Sequence, residues 1–202
     1  MKLLNADFVT SAARADGIPR DEVPRIALAG RSNVGKSSLI NALCRSKIAR
    51  TSAAPGKTRL VNFYRITMEG GPGGLGRWGV YLVDLPGYGY ARGGADAAAE
   101  LAAIAQEYYE ARAPLSATLI LVDSRHPGLR ADLDAVDWLN RMDVTFQIVA
   151  TKIDKLSRSE RVKNLKTIET TFGTAALPIS ATSGEGMDEL WRTIARFART
   201  AE

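Results

Sequence analysis

Among its 202 residues the chain has one cysteine and one histidine. A single thiol, Cys44, excludes an internal disulfide and reads as a small core residue. A lone imidazole, His126, excludes multi-histidine metal sites and leaves little room for histidine acid–base chemistry. The apolar runs, such as Leu119 to Val122, are far shorter than the ~20 residues of a membrane span. At the N-terminus Asn5 and Asp7 interrupt any apolar stretch of a secretory signal. A cytoplasmic, monomeric protein with one compact core and no membrane contact is therefore expected. Acid is missing from one region in particular. Between Val23 and Met68 stand nine of the 27 basic residues (Arg25, Arg31, Lys36, Arg45, Lys47, Arg50, Lys57, Arg59, Arg65) and none of the 22 acidic ones. Elsewhere acids outnumber bases, so the formal net charge of +5 originates in this stretch. Such a block points to an anionic partner: phosphate, nucleotide or nucleic acid.

Residues 1–24 are polar and hold Gly17-Ile18-Pro19 and Pro24. They read as an N-terminal extension packing on a domain of residues 25–202. From Arg25 short β-branched runs alternate with helical stretches. Strands are expected at Arg25–Ala29, Leu60–Met68, Trp78–Asp84, Thr118–Asp123, Val144–Ala150 and Ala175–Ile179. Helices are expected at Lys36–Arg45, Asp96–Ala111, Ala131–Arg141, Arg158–Thr171 and Met187–Arg199. Nearly continuous apolar strands suit a sheet covered on both faces, and the alternation is the βαβ pattern. The fold class is thus α/β, in three layers. A six-stranded, mostly parallel sheet has one antiparallel strand and helices on both faces. The antiparallel pair follows from the tract Gly70-Gly71-Pro72-Gly73-Gly74-Leu75-Gly76, which joins two strands with no helix between them and reads as a hairpin loop. Ser157-Arg158-Ser159-Glu160 is a capping box that starts a helix. Val162, Leu165, Ile168 and Phe172 are expected on its buried face, and Arg161, Lys163 and Lys166 on its exposed one.

The segment Gly30-Arg31-Ser32-Asn33-Val34-Gly35-Lys36-Ser37-Ser38 contains G-x-x-x-x-G-K-[ST] between an expected strand and an expected helix. Its two glycines let the backbone curl so that successive N–H groups surround phosphate oxygens. The helix that follows aims its positive end at the same anion. Lys36 adds a full charge, and the Ser37 hydroxyl suits Mg²⁺, which retains waters and takes phosphate oxygens as ligands. Thr151-Lys152-Ile153-Asp154 follows a strand and is similar to the N/T-K-x-D guanine motif. A carboxylate there accepts from the guanine N1–H and N2–H₂ together, and adenine lacks that donor pair, so a buried Asp154 would be left unsatisfied. Lys152 would lie along the base and brace the phosphate loop. After the next strand, Ile179-Ser180-Ala181 brings the Ala181 N–H to the guanine O6. Asp84-Leu85-Pro86-Gly87 resembles the D-x-x-G switch motif. There Asp84 would hold Mg²⁺ through water and the Gly87 N–H would reach the γ-phosphate. Upstream, Thr51-Ser52-Ala53-Ala54-Pro55-Gly56-Lys57-Thr58-Arg59-Leu60 offers a loop whose Thr58 completes the Mg²⁺ shell. Lys36, Thr58 and Gly87 are expected at the reacting phosphate, and Ser37, Thr58 and Asp84 around the metal.

Five motifs in this order are the signature of a P-loop G domain. Arg31 to Asn41, Thr51-Ser52 with Pro55-Gly56-Lys57-Thr58, and Asp84-Leu85-Pro86-Gly87-Tyr88-Gly89-Tyr90-Ala91 narrow it. The chain resembles the EngB/YsxC family of bacterial GTP-binding proteins, in the Era/Obg-like branch. That resemblance implies GTP and GDP as ligands, Mg²⁺, and a role in assembling the large ribosomal subunit. It also implies a need for the protein in normal cell division and septation, with no DNA partner. Arg25 departs from the family pattern, which usually has an acid there, and the Gly70–Gly76 tract looks longer than usual.

In Ras-like enzymes a glutamine after D-x-x-G orients the attacking water. Here Tyr88 stands at that position and a phenol is poorly suited to the task, so slow hydrolysis is expected. Arg50, Arg59 and Arg92 lie in or near the two switch loops without an evident finger role. Two roles are open to Asn33: in related GTPases such an Asn helps hold a K⁺ ion that bridges the phosphates, or it simply stabilises the loop turn. Two competing readings stand beside the GTPase. One is a GTP-dependent binding module with incidental hydrolysis. The other is a P-loop ATPase or kinase, for which Asp154→Asn would leave nucleotide preference unchanged.

Overall fold

The computed structural model describes residues 1–50, 60–71, 74, 76–88, 94–111 and 114–199. Its strands are β1 (Lys2–Ala12), β2 (Arg25–Gly30), β3 (Val61–Glu69), β4 (Arg77–Asp84), β5 (Leu115–Asp123), β6 (Phe146–Thr151) and β7 (Leu177–Pro178). The helices are α1 (Lys36–Cys44), α2 (Gly94–Glu110), α3 (Arg130–Arg141), α4 (Arg158–Phe172) and α5 (Met187–Arg199). One seven-stranded sheet has the order β1-β3-β4-β2-β5-β6-β7. Only β3 runs against the rest, antiparallel to both β1 and β4. The β3–β4 turn is the expected hairpin, closed by Gly70 N–H donating to Gly76 O at 2.9 Å.

The strand count is seven rather than six because part of residues 1–24 joins the sheet. Lys2–Ala12 pairs with β3 along its length, with register shifts between Leu3 and Asn5 and between Phe8 and Thr10. Each bulge resets the two-residue alternation, so no strand period survives in the sequence. The rest of the segment is fastened by Asp21. Its carboxylate accepts from Arg65 at 2.9 Å and from the Tyr81 hydroxyl at 3.0 Å. Arg25, 1% exposed, donates to the carbonyls of Pro19 and Asp21. Carbonyl oxygens thus take one end of a guanidinium buried at the start of β2, while its Nε makes no hydrogen bond.

The alternation within each strand divides the core. Ile26, Leu28, Leu119 and Leu121 pack with α1 and α5 on one face. Ala27, Phe63, Val83 and Tyr108 pack on the other, where Ile120, Val122 and Ile148 meet Val136 of α3 and Ile168 of α4. All six residues of β2 are buried, as a central parallel strand requires. At the far edge β7 has only two residues, not the five expected. Pro178 lacks the N–H that a ladder needs. The Ser157–Glu160 capping box forms. Val162, however, is 67% exposed instead of buried. At 100° per residue it lies some 60–120° from the Leu165–Ile168–Phe172 stripe. Arg161 falls on the stripe's own side and pairs with Glu185. Among the described residues no helix is long and apolar enough to cross a membrane.

Candidate functional site

The loop between β2 and α1 is shaped by its backbone. Gly30 approaches β5 so closely that a Cβ there would lie 2.9 Å from the Leu121 carbonyl oxygen. Asn33 and Gly35 have φ of 63° and 115°. Gly35 caps α1 without a side-chain hydrogen bond. The first N–H groups of that helix are therefore not taken by a capping side chain, which is the form of an anion site. Lys36, 8% exposed, folds back so that Nζ donates to Gly30 O at 3.0 Å. Burial lowers the pKa of this ammonium, while Asp84 favours its charge.

Asp84 ends β4 beside α1 and is 2% exposed. Ser37 Oγ lies 3.5 Å from its Oδ2, and its Oδ1 has no hydrogen-bond partner. Burial pushes its carboxyl up to about 6, against Lys36 and Ser37. An orphaned carboxylate oxygen next to a serine hydroxyl fits a hard divalent cation. Among the described residues no cluster of three His, Cys, Asp or Glu side chains forms. Beyond Ser37 and Asp84, an ion here would draw on hydroxyl and phosphate oxygens and water. Leu85 is buried, and Gly87 lies on the loop: a Cβ there would come within 3.0 Å of Lys36 Nζ and of Ser32 N. Gly56, Lys57, Thr58 and Arg59, with Tyr90 and Arg92, lie outside the described residues; Leu60 is described and exposed.

Lys152, at φ 61°, leads out of β6 into a 3₁₀ turn at Ile153–Lys155. Two contacts tie this turn to the phosphate loop: Thr151 Oγ1 donates to Val34 O at 2.9 Å, and Lys152 Nζ to Asn33 O at 2.7 Å. Asp154 is at the surface rather than buried. Its Oδ1 accepts from Ser180 Oγ at 2.7 Å, and that oxygen accepts in turn from the N–H groups of Thr182 and Ser183. The Ser180 bond, outweighing burial and helped by Lys155, holds the Asp154 carboxyl below its usual range. Gly186 closes the loop at φ 78°, where any Cβ would lie 2.2 Å from Pro178 O. Ile179 is buried and Ala181 half-buried beside Ser180. The sequence-predicted residues that are described thus converge on one rim, at the C-terminal ends of β2, β4 and β6 and the N-terminus of α1. This is where open α/β sheets place ligands.

One residue along α1 and two at this rim carry no functional signal of their own among the sequence motifs. Asn41 of α1 grips Ala49 with two bonds, Nδ2 to Ala49 O at 2.9 Å and Ala49 N to Oδ1 at 2.8 Å. Asp132, 1% exposed, accepts the Tyr88 hydroxyl at 3.0 Å. Its one sequence signal is an acid in register with Val136 and Leu139 on the buried stripe of α3. Burial, with Asp132 beside it, drives the Tyr88 phenol well above its ordinary value. Asp123, at the end of β5, accepts from Arg125 at 2.9 and 2.7 Å and from Lys152 at 2.9 Å.

Burial alone would raise the Asp123 carboxyl, but these bonds hold it well below the ordinary carboxylate range. Asp123→Asn is expected to lower the unfolding free energy by about 1–2 kcal/mol at pH 7, because Arg125 is solvent-screened. A depressed native pKa contributes fully above the unfolded value of about 4 and fades as the pH falls below it. Urea titrations at pH 7 and pH 3 should therefore show the two proteins converging in acid; an equal gap at both pH values would rule this account out.

A family model described as "50S ribosome-binding GTPase" matches residues 25–152. The probable GTP-binding protein EngB of Solibacter usitatus is 43% identical over 195 residues, spanning 96% of both chains. A crystal structure of a probable GTP-binding protein EngB superposes with TM-score 0.63 at 22% identity, over 87% of this chain and 99% of that one. The crystal structure of Era in complex with MgGDPNP and a segment of 16S ribosomal RNA gives TM-score 0.70 at 24% identity. It covers 86% of this chain and 56% of that one. Near-full-length identity at this level, on a phosphate loop joined by hydrogen bonds to a T-K-x-D turn, places the chain in the EngB family of GTP-binding proteins, with a GTPase domain that binds GTP and GDP.

Proposed function

We propose that the triphosphate lies on Gly30 to Ser38, with Mg²⁺ held by Ser37, Thr58 and Asp84 and the γ-phosphate met by Lys36 and Gly87. Guanine lies between Thr151–Asp154 and Ile179–Ala181, and Gly56 to Leu60 and Leu85-Pro86 complete the contact set. The observation that carries this reading is the pair of bonds from Thr151 and Lys152 to Val34 O and Asn33 O. They fix the base-reading turn to the phosphate loop, so both ends of one nucleotide are read from one rigid frame. When bound, Mg²⁺ neutralises charge that develops between the outer phosphates. Hydrolysis is slow: Tyr88 stands where Ras-like enzymes have the water-orienting glutamine, and its hydroxyl is engaged by Asp132. The φ of Asn33 supports its role as a turn residue, which Asn tolerates well. Equal hydrolysis rates in KCl and NaCl would exclude an ion role for it.

The protein acts in the cytoplasm, as a monomer, in assembly of the large ribosomal subunit, and is needed for normal cell division and septation. Supporting this are the ribosome-binding description of the matching family model and the basic block. Arg45, Lys47 and Arg50 of that block are exposed beside Asn41's grip on Ala49. The test is cosedimentation with ribosomal subunits in GDP and in a non-hydrolysable GTP analogue across a salt series. Expected are nucleotide-dependent association with the large subunit and steep loss with salt. Association with neither subunit in either state would sink the ribosomal role. If subunits bind but never raise the single-turnover hydrolysis rate, the binding-module reading replaces that of the working GTPase.

A further inference from the structure

Tyr88 is held at two points. Its carbonyl accepts from the Ser32 N–H at 3.1 Å, within a parallel bridge between Arg31 and Tyr88. Its hydroxyl donates to Asp132 Oδ1 at 3.0 Å. The other carboxylate oxygen of Asp132 faces Arg31 Nε at 3.8 Å, and neither of those atoms makes a hydrogen bond. One buried carboxylate thus has a bond made to the residue after D-x-x-G and a pairing left open to the phosphate loop. An apolar residue at this place on the α3 stripe would pack at lower cost, since a buried charge is expensive unless well satisfied. What the carboxylate achieves is positional. Through Tyr88 it draws Gly87 over the lysine end of the loop, where a Cβ would lie 3.0 Å from Lys36 Nζ. At that end the single Ser32 N–H is taken by Tyr88 O, while Lys36 Nζ donates to Gly30 O and has further N–H groups to give. An additional anion there must compete with the Tyr88 carbonyl for the Ser32 N–H.

We propose that Asp132 is a positioning residue that latches Gly87–Tyr88 closed over Lys36 and so biases the protein towards the diphosphate. Opening the latch for a third phosphate frees the carboxylate, and Arg31 takes it, closing the 3.8 Å gap. The two states therefore differ by which partner Asp132 holds, a discrete exchange rather than a graded loosening. The proposal rests on the reading of Gly30 to Ser37 as the phosphate site.

The test is the ratio of dissociation constants for fluorescent GDP and a fluorescent non-hydrolysable GTP analogue, in wild type, Tyr88→Phe, Asp132→Ala and the double variant. Tyr88→Phe removes only the hydroxyl, and should tighten the triphosphate about tenfold relative to GDP, the effect of one hydrogen bond to a charged group. Asp132→Ala removes the partner of both states, so it should shift the ratio less than Tyr88→Phe does, and in its background Tyr88→Phe should add almost nothing. Asp132→Asn keeps an acceptor for the phenol but loses the charge that Arg31 takes in the open state, so it should move the ratio further towards GDP, opposite in direction to Tyr88→Phe. If Asp132→Ala fails to fold, Tyr88→Phe alone decides. An unchanged ratio in Tyr88→Phe, or equal weakening of both nucleotides in it, overturns the latch. If the wild type binds neither nucleotide, the phosphate-site reading fails first and the proposal with it.

Discussion

Asp154→Asn is expected to weaken GTP and GDP about a hundredfold while leaving the fold intact. The substitution changes one atom, and the structure determines which. Ser180 Oγ donates to Asp154 Oδ1 at 2.7 Å, so the amide oxygen of Asn takes that position and its nitrogen replaces Oδ2. The Thr182 and Ser183 N–H groups hold Ser180 in place, which keeps the new amide from turning over. A donor then faces the guanine N2–H₂ where an acceptor stood. The loss is one hydrogen bond to a charged group plus a donor–donor mismatch, about 2–4 kcal/mol. Xanthine has a carbonyl at that position, so xanthosine diphosphate should gain what GDP loses. Titrations with GDP, xanthosine diphosphate and ADP measure all three directions at once. Unchanged GDP affinity would move the base away from this turn and reopen the ATPase reading. Because Asp154 is at the surface, its unfolding free energy should stay within about 0.5 kcal/mol of wild type.

What could be read from the sequence is what depends on near neighbours. The run Ile26–Gly30 is buried on both faces, so it is apolar throughout, and the glycine spacing after it follows from the curl of one short loop. Ser157 and Glu160 cap each other three residues apart. Where a local rule is broken by geometry, the reading fails. The bulges in β1 erase its period, Pro178 shortens β7, and a helical phase about 60–120° off the buried stripe puts Val162 in solvent. The polar links of the rim were illegible for a different reason. Lys152 reaches Asp123 across 29 positions and Tyr88 reaches Asp132 across 44, and only the sheet order brings them together. An acid on an apolar stripe was the one clue to Asp132, and it names no partner.

Lys36→Met should remove nucleotide binding yet leave the empty protein nearly as stable. Met keeps the length and the apolar stem of Lys and removes the charge. In the empty site that charge gains little. The ammonium is 8% exposed, burial disfavours its charged form, and it donates to the neutral carbonyls of Gly30 and Arg31. Asp84 loses a favourable charge nearby, so a fall of a few degrees in the nucleotide-free midpoint is expected rather than none. With a triphosphate bound the balance reverses, because the desolvated cation then meets the anion it lacks. Removing one side of such a pair costs about 2–5 kcal/mol. In wild type a ligand at a hundredfold excess over its Kd raises stability by about 2.7 kcal/mol, and the variant should gain almost none of this at the same concentration. Thermal unfolding with and without GTP and Mg²⁺ reads both quantities from one experiment. A full nucleotide-induced upshift in Lys36→Met would place the phosphates elsewhere. A collapse of the nucleotide-free midpoint would make the ammonium a requirement of folding. The expected pattern, an intact scaffold that ligand no longer stabilises, follows only if the cation is buried in anticipation of its partner.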